Sequence, residues 1–227
     1  MCGRFTSSQR RETIAERFQV GVPEGYRERY NLAPAQPALI VREREGEREA
    51  LMARWGLLPH WAKDDRIAYK LINARGETLA AKPAFRSLLG RHRCLVVADG
   101  FYEWRVGPDG KKEPIHFRLE GGAPFAFAGL WTSRTDPTSG ELVESCTIVT
   151  TRPNALVAPV HDRMPVILTG ELEQDWLDPA ISKEHALALL EPYAAELMTA
   201  LPASTRVNSV RNDDPGVLLP DADALAA

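Results

Sequence analysis

The 227-residue chain is short of cysteine, lysine and long apolar runs, and each shortage excludes something. Its three cysteines, Cys2, Cys94 and Cys146, are too few for a disulfide framework and lack metal-ligand spacing. They read as reduced thiols, which points to the cytoplasm. No stretch approaches the roughly 20 apolar residues of a membrane span, so no membrane partner is expected. Arg4, Arg10 and Arg11 stand where a signal peptide would carry its apolar core. The five histidines, His60, His92, His116, His161 and His185, form no pair at metal spacing with cysteine or carboxylate partners, so no metal and no cofactor is expected. The net charge of −3 gives no bulk signal for nucleic acid. Of the 28 basic residues 22 are arginine, so any anion site must be local and arginine-built. Internal repeats, a domain linker and βαβ alternation are all missing.

What is present is enough apolar sequence for a core: 44% of residues are hydrophobic. Ser7 or Ser8 is placed to cap a helix through Phe18, with Ile14 and Phe18 inward and Arg10, Arg11, Glu12 and Glu16 outward. Tyr30 to Pro34 reads as a turn before a strand over Ala38–Val41. The charged run from Arg42 to Glu49 reads as a solvated hairpin tip, and Ala50–Trp55 as the returning strand. Residues 56–70 form a long irregular connection, the kind that is often functional. Glu77–Lys82 is expected to be helical and to stop at Pro83. Strands are expected over Cys94–Ala98, Phe101–Arg105, Ile115–Leu119, Phe125–Trp131 and Leu142–Thr150. The turns between them lie at Gly107–Gly110, Gly121-Gly122 and Asp136–Gly140. A short strand at Val166–Leu168, a helix from Thr169 or Gly170 to Leu177, a helix capped by Ser182 and a last strand at Val207–Val210 follow. This pattern predicts an α+β fold, one domain over residues 1–212, with a largely antiparallel, barrel-like β core and peripheral helices. Residues 213–227 read as a mobile tail.

Four stretches carry polar residues that a purely structural sequence does not need: Met1–Phe5, Asn73–Thr78, Gly100–Trp104 and His161–Pro165. Removal of Met1 would leave Cys2 with an α-amine and a thiol on one residue. The amine condenses with an aldehyde to an imine, and the thiol closes on the imine carbon as a thiazolidine. The amine, with a reference pKa of roughly 7.7–8.0, is partly nucleophilic near neutrality. Glu103 sits in an aromatic strand, where burial would raise its pKa towards a range useful for proton transfer. Against this stands a plain solvent-facing strand glutamate. His161 is an acid–base candidate near neutrality. Asn73 either caps the following helix or holds a nucleophile. Arg4, Arg75, Arg86 and Arg163, with the loop aromatic Trp61, are the ingredients of a single-stranded nucleic-acid site. Against this stands, for any single arginine, a solvated surface charge.

Taken in order, the motifs Met1-Cys2-Gly3-Arg4-Phe5, Tyr30-Asn31-Leu32-Ala33-Pro34, Trp55-Gly56-Leu57-Leu58-Pro59, Ile72-Asn73-Ala74-Arg75-Gly76-Glu77-Thr78, Asp99-Gly100-Phe101-Tyr102-Glu103-Trp104 and His161-Asp162-Arg163-Met164-Pro165 resemble the SRAP family (SOS-response-associated peptidase domain). The resemblance implies a trap for abasic sites in single-stranded DNA or at a single-strand/double-strand junction. Mature Cys2 would form a thiazolidine with the sugar aldehyde and shield the lesion during the DNA damage response. It further implies that Asn73 positions Cys2, Glu103 moves protons and His161 assists opening of the sugar ring. Arg4, Asn31, Arg75, Arg86, Thr150 and Arg163 would contact DNA, and Pro34 and Trp61 would stack on bases. Trp61 is followed by Ala62 where relatives often carry a second tryptophan, which bears on stacking. A monomer working in the bacterial cytoplasm, on the nucleoid when bound, is expected. Two other readings stand beside it: an N-terminal-nucleophile cysteine peptidase or amidase acting on Met1 or another peptide, and a non-covalent reader of damaged or modified DNA.

Overall fold

The longest apolar runs become strands that are buried on both faces. The computed structural model describes residues 2–62, 64–107, 109–136 and 138–221. Met1 of the first motif, Pro108 and Pro137 of two expected turns, and positions 222–227 of the expected tail lie outside the described residues. The strands are β1 (Phe5–Ser7), β2 (Arg29–Leu32), β3 (Pro37–Arg44), β4 (Glu47–Trp55), β5 (Asn73–Arg75), β6 (Arg93–Ala98), β7 (Gly100–Val106), β8 (Lys112–Leu119), β9 (Phe125–Thr135), β10 (Leu142–Thr151), β11 (Met164–Pro165), β12 (Ile167–Leu168) and β13 (Met198–Pro202). The helices are α1 (Arg11–Phe18), α2 (Pro83–Arg86), α3 (Glu171–Leu177) and α4 (Lys183–Ala188).

Strands β4, β3, β6, β9 and β10 pair in that order, and β10 returns to β4 in parallel at Ser145↔Arg54 and Cys146↔Trp55. That pairing closes a five-stranded mixed barrel. Period-two alternation explains the unbroken apolar runs. Leu39, Val41, Leu95 and Val97 pack with Ile14, Phe18 and Trp176 of the helices. Their neighbours Ala38, Ile40, Cys94 and Val96 pack with Phe5, Phe101 and Phe117 of the second sheet. Gly129 permits the close approach of three barrel strands. A Cβ there would lie 2.8 Å from Val96 Cγ2 and 2.9 Å from Cys94 Sγ. The second sheet has the order β13-β8-β7-β1-β2, so the N-terminal strand is interior, between β7 and β2. The α+β architecture and its barrel-like core are therefore as expected, with a parallel closure that the sequence pattern did not foretell.

Several local expectations are corrected. Ser7 belongs to β1, and Ser8 donates from both backbone N and Oγ to Asp99 Oδ2 at 2.7 Å, so α1 begins at Arg11 without a side-chain cap. The charged run after Val41 is mostly strand. Arg42 is buried, bonded to Glu49 and stacked 3.9 Å over the Trp131 ring, and the turn narrows to Glu45 and Gly46, both at positive φ. Pro83 opens α2 instead of ending a helix, because proline suits the first helical position. Residues Thr205–Asn208 form a 3-10 turn where a final strand was expected.

As far as Asp221, the expected tail packs on the domain. Asp213 Oδ1 accepts from the backbone N–H of Tyr30 (2.7 Å) and Asn31 (2.9 Å), and its Oδ2 pairs with Arg29. Pro215–Leu218 forms a 3-10 turn and Val217 is fully buried with Tyr102, Ala203 and Val207. This segment covers the polar edge of β2. Among the described residues, no helix is long and apolar enough to cross a membrane.

Candidate active site

The second sheet carries the chain's N-terminal end to Glu103. Phe5 pairs with Phe101 and Thr6 with Gly100, and Tyr102 N–H donates to Arg4 O at 3.0 Å. Antiparallel pairing thus leads Cys2–Arg4 alongside the second half of β7. A Cβ at Gly100 would lie 2.1 Å from His116 Nε2, so glycine is needed where the two strands meet the buried histidine. Phe101 faces the apolar cluster that includes Cys2, whereas Tyr102 packs on the C-terminal segment. Glu103 shares the face of Phe101, as two-residue periodicity requires.

Asn73 arrives from the barrel. β5 runs parallel to β10 with Asn73 opposite Ile148, and Ile72 O accepts from Ile148 N (3.1 Å) and Trp55 Nε1 (2.9 Å). So anchored, Asn73 Nδ2 donates to Cys2 O at 2.8 Å. Asn73 Oδ1 is buried and, among the described residues, receives no hydrogen bond. His161 comes from the turn after β10. Asn154 Oδ1 accepts from Leu156 N and Val157 N, and His161 N donates to Val157 O at 3.0 Å.

Glu103 and His161 converge, with His161 Nε2 3.9 Å from Glu103 Oε2. His161 Nδ1 accepts from Arg163 N–H at 2.9 Å, which assigns the ring proton to Nε2, on the Glu103 side. Asp162 Oδ1 also lies 3.0 Å from Nδ1, but that side chain is 87% exposed and water weakens its pull. Burial lowers the His161 pKa, so the ring is neutral at pH 7. Glu103 is only 4% exposed, and burial pushes its carboxyl up to about 7. Near neutrality it is both a donor and an acceptor of protons. The Cys2 thiol is fully buried, 3.8 Å from Arg4 O. Burial, then the Glu103 charge, raises its pKa far above the usual thiol range, so it is held as a thiol.

A cavity of about 480 Å³ lies against these groups, lined by Arg4, Glu103, Trp104, Lys112, His161 and Asn208. The structure therefore brings together Cys2, Asn73, Glu103, His161 and Arg4. Burial also lowers the Arg4 pKa, and its Nε, among the described residues, makes no hydrogen bond. Arg75, Arg86 and Trp61 are exposed and Pro34 is half-buried, and none of the four lines this cavity.

Three of the expected DNA contacts are engaged within the chain itself. Asn31 is fully buried, and its Nδ2 donates to Val207 O (3.1 Å), Ser209 O (3.0 Å) and Asn212 O (2.8 Å). It holds the C-terminal segment on β2. Thr150 is fully buried and its carbonyl accepts from Arg163 Nη2 at 2.6 Å. Arg163 is not a free cation either. It forms a fork with Glu77 at 2.6 and 2.9 Å, which holds the Glu77 carboxyl below its ordinary pKa.

Trp104, Lys112 and Asn208 had no assigned role in the sequence. Trp104 Nε1 donates to Asn208 Oδ1 at 2.7 Å, joining β7 to the turn at Thr205–Asn208. Asn208 lies in the stretch Val207–Val210 that was expected as the last strand. Lys112 follows a charged turn, and nothing in its surroundings separates it from a surface lysine.

Comparison with known proteins supplies the remaining constraint. The sequence matches the family SOS response associated peptidase (SRAP) over residues 1–210. It is 44% identical over 222 residues to Bacillus subtilis abasic site processing protein YoqW, covering 96% of this chain and 99% of that one. It is 31% identical over 228 residues to Escherichia coli abasic site processing protein YedK, covering 97% and 100%. A crystal structure of a Bacteroides thetaiotaomicron protein superimposes with a TM-score of 0.87 at 27% identity, covering 97% of this chain and all of that one. The barrel, the second sheet and all the converging residues fall inside the matched region, and the chain belongs to the SRAP family.

Proposed function

We propose that this chain processes abasic sites in DNA, and that it does so by capturing the sugar aldehyde of single-stranded DNA, as a monomer, on the amine and thiol of Cys2. The observation that carries the reading is the convergence at one residue: Asn73 Nδ2 holds Cys2 O at 2.8 Å beside the Glu103–His161 pair. The relatives named abasic site processing proteins support the substrate.

The steps follow from the groups present. His161 Nε2–H donates a hydrogen bond to the ring oxygen of the closed sugar. The Glu103 carboxylate takes the proton of the C1′ hydroxyl as the C1′–O ring bond breaks and delivers it to the ring oxygen, so the aldehyde is released with His161 still neutral and Glu103 again a carboxylate. With Met1 removed, the Cys2 amine adds to C1′ and passes a proton through Glu103. The same carboxyl returns a proton to the C1′ hydroxyl, which leaves as water and forms the imine. The thiol then adds to the imine carbon and its proton passes to nitrogen, closing the thiazolidine. One water is lost in all. A carboxyl titrating at about 7 suits these alternating transfers. Asn73 Oδ1, buried and unpartnered among the described residues, supports a role as acceptor for the amine end. The thiol need not be ionised beforehand, because the amine attacks first.

The test is intact-mass measurement after mixing the Met1-free protein with an abasic single-stranded oligonucleotide. The expected product weighs the sum of the two minus one water and is absent with Cys2→Ala. Reversible binding of equal strength by both proteins, without an adduct, would replace capture by a non-covalent reading.

A further inference from the structure

We infer that Lys112 holds the phosphate that joins the captured nucleotide to its neighbour, a positioning role that rests on the abasic-site reading. Lys112 opens β8, opposite Val106 across the β7–β8 hairpin. It lines the 480 Å³ cavity with Glu103 and His161, and it also lines a larger groove of about 810 Å³ between that hairpin and the segment Pro202–Asn208. Among the described residues, Lys112 and Asn208 alone border both, so the two spaces meet at this pair. Each falls within the size range that takes a small ligand or nucleotide.

Charge separates Lys112 from the groove's other cations. Arg105 is paired with Glu113 at 2.7 Å, and Lys111 with Asp109 at 2.9 Å. Among the described residues, Lys112 is the groove cation that has no carboxylate within ion-pair distance. Arg4 lines the smaller cavity as well, so a sugar seated at Glu103 and His161 has one cation on the β1 side and one at the mouth of the groove. An abasic sugar keeps its phosphodiesters when its base is lost. With C1′ at Cys2, one flanking phosphate must leave the small cavity, and the exit marked by a free cation is at Lys112. An ammonium on a flexible stem suits that task as a point charge. The groove beyond it takes the next nucleotide.

The test separates this role from the capture chemistry. A single-stranded oligonucleotide carrying a tetrahydrofuran abasic analogue has no aldehyde, so it reports binding alone. Lys112→Ala is expected to weaken binding about tenfold, as for loss of one charge-assisted contact. The slope of log K against log salt should become shallower by about 0.7, one phosphate's worth on a single strand. Lys112→Arg should recover most of the loss. A neutral methylphosphonate at one of the two linkages flanking the lesion should weaken the wild type as much as Lys112→Ala does, and should not weaken Lys112→Ala further. Adduct formation with free 2-deoxyribose, which has no phosphate, should be unchanged.

An unchanged affinity and salt slope in Lys112→Ala would overturn the inference. So would a methylphosphonate penalty equal in both proteins at both linkages, or equal slowing with free 2-deoxyribose. If the wild type binds the tetrahydrofuran strand but forms no adduct with a true abasic strand, the capture chemistry fails while the Lys112 result still stands.

Discussion

The barrel and the second sheet solve opposite problems. The barrel strands bury apolar side chains on both faces along their central runs, since Leu95 and Val97 meet the helices while Val96 and Cys94 meet the other sheet. The second sheet has one such face and one that is knitted by polar contacts: Asn31 to three carbonyls, Asp213 to two backbone N–H groups, Trp104 to Asn208. The reactive groups lie where the two meet. Asn73 is delivered by the barrel, and Cys2 and Glu103 by the second sheet. A rigid apolar frame can hold an amide at 2.8 Å, while a polar edge can hold a buried carboxyl whose proton is easily lost.

Substitutions on each side of this divide should fail in different ways. The largest effect is expected from Glu103→Gln, which should slow adduct formation and reversal by about 100-fold, within the range of general acid–base catalysis, in quenched time courses. Equal rates for the two proteins would remove the carboxyl from the mechanism.

The same variant should be more stable than the wild type at pH 8, by up to about 3 kcal/mol in urea titrations, and equal to it at pH 4. The sign follows from burial. The carboxyl titrates at about 7 in the folded chain and at its ordinary lower value when unfolded. Its proton therefore stabilises the fold below the ordinary value, and that stability is lost as pH rises through about 7. A gain that does not depend on pH would contradict the burial account.

On the polar edge, Asn31→Ala leaves three carbonyls without their donor and should cost about 2–3 kcal/mol. Limited proteolysis should then cut first near 207–213, and the salt dependence of DNA binding by the folded protein should be unchanged. A shallower salt slope would return Asn31 to the DNA contacts. In the barrel, Gly129→Ala should cost about 1–2 kcal/mol by overpacking, with no change in the adduct rate of the folded fraction.

The same divide governs how much was legible in the sequence. The strands around Val96, Phe127 and Ile148 stand out because burial on both faces leaves an unbroken apolar run. Strands β1 and β13 do not. Thr6 and Ser7 are buried polar residues, and Met198–Pro202 ends in a proline, so their order comes from register with β7 and β8 and from no local preference. The site residues Cys2, Asn73, Glu103 and His161 were picked out by chemistry and by resemblance, and their meeting depends on long-range pairing that no local pattern encodes. Asn31 shows the opposite case. An asparagine in a turn-rich motif looks like a contact for a ligand, and the fold also gives its Nδ2 a second use, the bonds to three of the chain's own carbonyls. Arg163 is similar, since only the fold reveals that Glu77 already occupies its guanidinium.

The central claim is that the reactive unit is the amine and thiol of Cys2 acting together. The most direct measurement compares two samples of the same protein, one treated with a methionine aminopeptidase and one retaining Met1, each mixed with an abasic single-stranded oligonucleotide and weighed intact. The Met1-free sample should shift by the mass of the oligonucleotide less one water, and the Met1-bearing sample should not shift. An equal adduct on both, or none on the Met1-free protein, would contradict the account.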